Sequence, residues 1–223
     1  MSNKSAGDDD WFRSADWDDA ARAEFEARLE RSRPHNRDQY RRIKAIALLG
    51  SGDPVREEAG AGLLRENLAL SDLADHERVL TLVLLAEHDQ LRGRLAEAES
   101  SLRQALAIAG PDGSGTSGEE EIALAEILVA RGGEASLEEA KRLLDRRASE
   151  MPLFVRSRYR FAVASAHVCL ALRQPADAAQ WAAVALDLAA TRDSGLARHP
   201  ALGLVTSTDQ ELRWLRDVAK RDE

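Results

Sequence analysis

Apolar residues recur along this chain at the three- and four-residue spacing of amphipathic helices. In the segment 95–109, leucines and alanines stand at positions 95, 98, 102, 105, 106 and 109. Because a helix has 3.6 residues per turn, this spacing places them on one face. Few β-branched residues alternate with polar ones, so the pattern gives little support to strands. The chain is therefore predicted to be all-α.

Turn-forming residues divide this pattern into ten helices joined mostly by brief turns. Asp53-Pro54 combines an N-cap with a proline at the first helical position, while Gly50, Gly52 and Gly93 end or separate helices. Short turns force neighbouring helices to run antiparallel, as helical hairpins. The predicted helices cover about 16–32, 34–49, 54–68, 73–91, 95–109, 119–131, 136–149, 152–172, 175–190 and 208–220.

Two of these helices contain apolar stretches, at 79–86 and 161–172. A membrane span needs about 20 apolar residues, so these stretches indicate buried helices instead. The stretch 79–86 is apolar almost all round, which predicts a helix covered on several sides. Residues 1–10 are polar and acidic, unlike a secretory signal, and the one cysteine forms no internal disulfide. We expect a cytoplasmic protein that does not enter a membrane.

The segment from Gly93 to Ala98, followed by Leu102, Ala105 and Leu106, resembles the second half of a tetratricopeptide repeat. Weaker copies follow around Gly132 and Ala140 and around Ala178 and Ala182, although Arg173 stands where the family has glycine. The early tryptophan and the first-helix tyrosine of the family are missing. The resemblance implies a right-handed α-solenoid of antiparallel hairpins with an extra helix at each end. One such domain, 16–223, would follow an acidic flexible tail, 1–15.

The resemblance also implies a function, because tetratricopeptide repeats bind polypeptides in the groove formed by their first helices. It does not extend to the carboxylate clamp of some members, since asparagine occurs only at positions 3, 36 and 67. The repeat alignment would place six polar residues on the concave side, namely Arg42, Glu87, Gln90, Glu126, Arg160 and His167. These are the predicted partner-binding residues.

A basic strip, Arg156, Arg158 and Arg160, alternates with Phe154, Tyr159 and Phe161. Arg156 and Arg160 share a helix face, and they could bind a peptide carboxylate. Stacking and phosphate contacts with nucleic acid are a second interpretation, and plain surface charge is a third. The net charge of −8 argues against nucleic acid. Arg156 is therefore added to the predicted partner-binding residues.

Charge is also uneven at the N-terminus: residues 8–26 carry a net −6 and residues 28–44 a net +5. One hypothesis is that Asp8–Asp10 and Trp11 fold onto a surface that includes Arg37, Arg41 and Arg42. That surface could instead take an acidic segment of a partner. The remaining alternative is a solvated basic face beside a disordered tail.

Candidate catalytic chemistry is missing from the sequence. The five histidines do not share a helix face at metal-ligand spacing, and Cys169 points away from the nearby His167. The glycines of 113–118 are not followed by Lys-Ser/Thr, as a phosphate-binding loop requires. We therefore expect no enzymatic activity, no cofactor and no metal.

The predicted function is protein–protein interaction, as an adaptor, a chaperone-like holder or a regulatory partner that binds a peptide or helix. The alternative is a structural protein that assembles with copies of itself. In that case Trp181 and Trp214, if exposed, would pack against the second copy of a homodimer.

Overall fold

The computed structural model describes residues 10–110, 119–149, 151–152, 154–192 and 203–222. These residues form helices, turns and irregular segments without a strand, which confirms the all-α prediction. The chain divides into two compact units, Met1–Thr116 and Ser117–Glu223. The first contains α1 (Asp19–Arg31), α2 (Pro34–Leu49), α3 (Pro54–Leu68), α4 (Asp75–Leu91) and α5 (Leu95–Ala109). The second contains α6 (Glu119–Arg131), α7 (Glu134–Ala148), α8 (Val155–Ala171), α9 (Pro175–Ala190), α10 (Asp209–Ala219) and a final 3₁₀ turn, Lys220–Asp222.

The helix starts follow the local signals of the sequence. The Asp18 carboxylate accepts a hydrogen bond of 2.8 Å from the Ala21 amide, and Asp53 accepts one of 2.8 Å from the Val55 amide. Each bond satisfies an amide that has no partner inside the helix. Proline stands at the first position of α2, α3 and α9, where no amide donor is needed.

Within each unit, helices that follow one another pack as antiparallel hairpins: α2 with α3, α4 with α5, α6 with α7, and α8 with α9. All four hairpin turns contain a residue in the left-handed region, at Gly52, Gly93, Gly132 and Arg173. The turns at Gly93 and Arg173 have the same hydrogen-bond pattern. The Arg94 amide donates to the Asp89 carbonyl in the first turn, and the Gln174 amide donates to the Cys169 carbonyl in the second, each over 2.8 Å. Arg173 thus adopts a conformation that favours glycine, with φ of 60°.

The first unit buries an aliphatic and aromatic core between α1, α2, α3 and α4. Its buried members are Phe25, Leu29, Ala45, Leu48, Ala61, Leu63, Leu64 and Leu85. Helices α2 and α3 approach closely at Gly60, where an added Cβ would lie 2.9 Å from the Ala45 carbonyl oxygen. Small residues at such positions allow tight helix packing, and Ala98 and Ala105 of α5 are also fully buried.

The second unit has its own core between α8, α9 and α10. Its buried residues are mainly small, which brings the helices close together: Tyr159, Ala162, Ala166, Cys169, Ala178, Ala182, Ala185, Leu215 and Val218. Helix α10 contributes Leu215 and Val218 and packs mainly on α9. The apolar face of the last helix therefore covers the preceding hairpin.

The segment 10–17 packs on the first unit. The Trp11 ring lies 5.3 Å from that of Phe25 and 5.4 Å from that of Tyr40. Beside it, the Lys44 ammonium donates to the carbonyl oxygens of Ser14 at 2.6 Å and of Asp16 at 3.0 Å. Lys44 is only 2% exposed, and its burial lowers the pKa of the ammonium below the usual value.

Two predictions from the sequence concern residues that lie wholly or partly outside the described ranges. The glycine-rich stretch at 113–118 lies outside the described residues, as do residues 1–9 of the predicted tail. Asp10 is described, and its carboxylate pairs with Arg13 at 2.9 Å. Among the helices of the described residues, none has the length and apolar character that crossing a bilayer demands.

Candidate functional site

The seven predicted partner-binding residues lie on the first helices of the hairpins. In the first unit, Arg42 is on α2, and Glu87 and Gln90 are on α4. In the second unit, Glu126 is on α6, and α8 carries Arg156, Arg160 and His167. Glu87 and Arg156 are exposed and the other five are partly exposed. Their contacts decide which of them could serve a partner.

Arg42 forms an ion pair inside the first unit. Its guanidinium Nε lies 2.7 Å from Glu77 Oε2 and its Nη2 lies 3.1 Å from Oε1, so the two groups meet as a fork. The side chains of Arg42 and Glu77 are only 16% and 11% exposed. The positive charge of Arg42 is thus already matched by a neighbouring hairpin, which makes it a link between α2 and α4.

Arg160 has the equivalent position in the second unit. Its guanidinium contacts Glu126 through two bonds of 3.0 and 2.7 Å, and it reaches Glu119 Oε2 at 3.1 Å. The Ser157 hydroxyl donates to the other oxygen of Glu119. The structure therefore brings the predicted residues Glu126 and Arg160 together, and they bind each other between α6 and α8.

His167 is covered by the C-terminal helix. Its imidazole stacks on the Trp214 indole with ring centres 3.8 Å apart and an angle of 10° between the planes. The Tyr159 hydroxyl donates to Glu211 Oε2 over 2.6 Å, a second contact between α8 and α10. Burial lowers the pKa of His167, and the Glu211 carboxylate partly opposes that effect. His167 therefore helps to attach α10.

The two tryptophans that self-assembly would use make ring contacts inside the second unit. The Trp181 ring lies 5.3 Å from that of Phe161 in an edge-to-face arrangement, and Trp214 stacks on His167. Both indoles are partly buried. Both indoles thus pack against aromatic rings of their own unit.

Helices α2 and α4 form an apolar groove, which we call the α2–α4 groove. Its apolar walls are Ile46 and Leu49 from α2 and Leu84 and Leu91 from α4, around a cavity of about 250 Å³. Ile46 is 42% exposed and Leu91 is 88% exposed. Large apolar side chains grouped at a surface mark contact sites more often than isolated ones do.

Charged groups lie around this groove. Glu57 and Arg92 form an ion pair with 2.5 Å between Oε2 and Nη2, and Glu87 also lines the cavity. His88 is buried at the base, with its Nε2 3.6 Å from Glu58 Oε2. Two carboxylates and one guanidinium therefore border the apolar walls.

A larger, polar cavity of about 690 Å³ lies near the start of α2 and α4. Arg37 donates to the carbonyls of Glu30 and Ser32, and Arg41 lies 3.5 Å from Asp38. Burial raises the pKa of Asp38, as do the charges of Asp72 and Glu77, although Arg41 opposes them. The charges in this cavity are mixed and largely paired within the chain, so it has little preference for ligands of either sign. Across the part of the chain that the structure describes, there is no group of three or more side chains arranged to hold a metal ion.

The sequence interpretation missed the apolar walls because it sought the site among polar residues. It treated the apolar character of 79–86 as a sign that α4 is covered on several sides. Helix α4 does pack against α2, α3 and α5, yet Leu80 is 38% exposed and Leu91 lies open. The sequence signal for the groove is a pair of leucines, Leu84 and Leu91. They are seven residues apart on one face of α4 and are not fully buried.

Comparison with known proteins gives no significant match, whether to a family model, to a curated protein or to a solved structure.

Proposed function

We propose that this protein is a protein-interaction module that binds a polypeptide segment in the α2–α4 groove. The observation that carries the proposal is the exposure of Ile46 and Leu91 beside a cavity of about 250 Å³. Grooves with apolar walls and a polar border suit the apolar face of a peptide. A catalytic role has less support, because the walls of this groove are mainly apolar.

We also propose that the hairpins of each unit are arranged as in tetratricopeptide repeats. Three features favour this arrangement: a left-handed residue in every hairpin turn, small buried residues such as Ala98 on second helices, and ion pairs between successive first helices. The partner would then contact first helices, as the sequence predicts. The cytoplasmic location stays a prediction.

The test is selection of binding peptides from a displayed library of amphipathic sequences, followed by titration of the selected peptides. In a variant with Ile46→Glu and Leu91→Glu, we expect binding to fall by at least about tenfold, because charges replace the apolar walls. Val55→Glu is the matched control, since Val55 is 79% exposed on α3 and does not line the groove.

Light scattering of the same three proteins gives their oligomeric state, which distinguishes peptide binding from self-assembly. A monomer whose selected peptides fail to bind the double variant supports the proposal. A dimer that is lost in the double variant would show that a second copy fills the groove. Peptides that bind all three proteins equally would exclude this groove as the site.

A further inference from the structure

We infer that the surface beneath the segment 10–17 is a second peptide-binding surface, where a partner segment rich in aromatic residues replaces residues 10–17. Phe25 of α1 and Tyr40 and Lys44 of α2 form this surface, which we call the aromatic site. The cavity beside it shares no lining residue with the α2–α4 groove, so the inference goes beyond the proposed function and does not rest on it. The segment bound there shows what kind of ligand the site accepts.

Aromatic rings attach the segment to the site. The Trp11 ring lies 5.3 Å from that of Phe25 and 5.4 Å from that of Tyr40. Phe12 stacks on Tyr40 with ring centres 4.6 Å apart, and the Trp17 ring lies 5.6 Å from that of Phe25 in an edge-to-face arrangement. Such pairs combine apolar burial with favourable ring geometry. Three rings of the segment therefore contact two rings of the aromatic site.

Lys44 binds the main chain of the segment. Its ammonium donates to the carbonyl oxygens of Ser14 and Asp16 at 2.6 and 3.0 Å, and it lies 5.3 Å from the centre of the Trp17 ring. Every residue has a carbonyl oxygen, so these two bonds place few demands on the sequence of the bound segment. Lys44 therefore recognises a backbone path, whereas the rings select aromatic side chains.

The polar side chains of the segment bond to the segment itself. Asp10 pairs with Arg13 at 2.9 Å, and the Ser14 hydroxyl donates to the Asp16 carboxylate at 2.7 Å. The Arg13 amide also donates to the Asp10 carbonyl over 2.8 Å, which closes a turn. In the part of the chain that the structure describes, none of these polar side chains bonds to α1 or α2. The segment thus contacts the site through its rings and main-chain carbonyls, as a docked peptide would.

The segment covers the site incompletely. A cavity of about 240 Å³ remains between the segment and the two helices, and Trp11, Ser14 and Asp16 line it together with Phe25 and Lys44. Closure also buries the Lys44 ammonium, and this burial lowers its pKa because the charged form loses hydration. Incomplete packing and a desolvated charge both weaken the attachment of the segment, so another segment can compete for the site.

These contacts define the partner. It is a polypeptide segment with two adjacent aromatic residues and a third aromatic residue five positions after the second, the spacing of Trp11, Phe12 and Trp17. It is not helical at the site, because Lys44 binds carbonyls of residues 14–16 that lie outside any helix. Charge is not part of the requirement, since Lys44 uses its donors on main-chain carbonyls.

Displacement in the wild-type chain tests the inference. The probe is a peptide with the sequence of residues 10–17 and the substitution Arg13→Gln, which removes its trypsin site. A control peptide also carries Trp11→Ala, Phe12→Ala and Trp17→Ala. Trypsin cleavage of the protein after Arg13 is followed by mass spectrometry. We expect an excess of the probe to accelerate this cleavage by at least about threefold, because a displaced segment is open to the protease, and the control peptide to leave the rate unchanged.

A full-length variant with a released segment provides the second arm. Trp11→Ala, Phe12→Ala and Trp17→Ala together remove the rings that occupy the aromatic site, and circular dichroism checks that the variant is folded. The labelled probe is titrated by fluorescence anisotropy. We expect it to bind this variant at least about tenfold more tightly than the wild type, in which the intrachain segment competes at a high effective concentration.

Further substitutions in the released variant locate the bound probe. Adding Lys44→Met should weaken binding, while adding Ile46→Glu and Leu91→Glu should leave it unchanged. The opposite pattern would place the probe in the α2–α4 groove, which would overturn this inference and support the proposed function. Wild-type cleavage that is the same with and without the probe would show that no other segment replaces residues 10–17, and this assay decides alone if the released variant does not fold.

Discussion

Arg42 and Glu77 meet through two hydrogen bonds of 2.7 and 3.1 Å between the first helices of successive hairpins. They are 35 positions apart in the chain, and the corresponding pair of the second unit, Glu126 with Arg160, is 34 positions apart. Both sequence separations are close to the length of one helical-hairpin repeat. Arg42, Glu126 and Arg160, three of the predicted partner-binding residues, thus connect neighbouring hairpins within each unit.

The Arg42–Glu77 pair should behave as a unit in unfolding experiments. Glu77→Gln leaves a mostly buried guanidinium without its counter-charge, so we expect a loss of about 1–3 kcal/mol in the free energy of unfolding. Arg42→Met combined with Glu77→Leu should cost less than Glu77→Gln alone, because no buried charge is left. Urea-induced unfolding measures both.

A matched cycle on Lys141 and Asp145 provides the control. This pair lies on one exposed helix face, with 3.0 Å between the charged atoms, and should contribute about 0.3–0.5 kcal/mol. If the double variant at Arg42 and Glu77 loses as much unfolding free energy as the two single variants together, the two residues do not interact energetically.

Ala98 tests the packing of the fourth and fifth helices. It is fully buried, and a larger side chain has no space beside α4. Ala98→Leu should lower the free energy of unfolding by about 1–3 kcal/mol through overpacking. Ala96→Leu, on the exposed face of the same helix, should change it by less than about 0.5 kcal/mol. Similar effects of the two substitutions in thermal or urea unfolding would contradict this helix pairing.

Arg173 offers a stabilising substitution. A residue with a Cβ is strained at φ of 60°, whereas glycine tolerates this region. Arg173→Gly should therefore raise the unfolding free energy by about 0.5–1 kcal/mol, after the added freedom of glycine in the unfolded chain is subtracted. Gly93→Arg makes the reverse change in the equivalent turn and should destabilise. A midpoint in urea that moves the same way in both variants would refute the equivalence.

His167 should make stability depend on pH. Burial lowers its pKa in the folded protein, so in acid the unfolded chain takes up a proton before the folded chain does. The free energy of unfolding is therefore highest above the usual histidine pKa of 6.5. It decreases as the pH falls from 6.5 through the lowered pKa that His167 has in the folded protein. His167→Gln should reduce this decrease. Chemical unfolding at a series of pH values compares the two, and parallel curves would disprove the role of His167.

Lys44 should hold the segment 10–17 in place. Lys44→Met keeps the length of the side chain but removes the donors to the carbonyls of Ser14 and Asp16. We expect faster cleavage by trypsin after Arg13, which lies within that segment, because local opening becomes more frequent. Cleavage is followed by mass spectrometry at short times, with Arg13→Gln as the control for the site. An unchanged rate would mean that Trp11 and its aromatic neighbours suffice.

The helices could be predicted from the sequence because their signals are local. The predicted ranges 119–131 and 175–190 agree with α6 and α9, and Asp53-Pro54 starts α3 as expected. These starts depend on caps and prolines within a few residues. The left-handed conformation of Arg173 was not predicted, because the sequence shows only an arginine at the position where the repeat pattern has glycine.

The candidate site was harder to predict because it depends on distances between helices. The resemblance to tetratricopeptide repeats implies that Arg42 and Arg160 face a groove, but it does not predict that Glu77 and Glu126 lie within 3 Å of them. Pairing opposite charges at the repeat spacing would have found both links. The exposure of Leu91 depends on which neighbouring helices cover the end of α4, and the spacing of apolar residues along one helix does not contain that information.

The order of helix packing has a consequence for how the protein folds during its synthesis. Within each unit, helices contact chiefly the next or next-but-one helix in the chain, so the structure closes short loops. Such local topology favours rapid folding and lets a growing polypeptide fold from its N-terminus during translation. The hairpins of the first unit can pair before the ribosome has finished the second. Translation speed near residue 117 would then set how long the first unit exists alone, with its own core already formed.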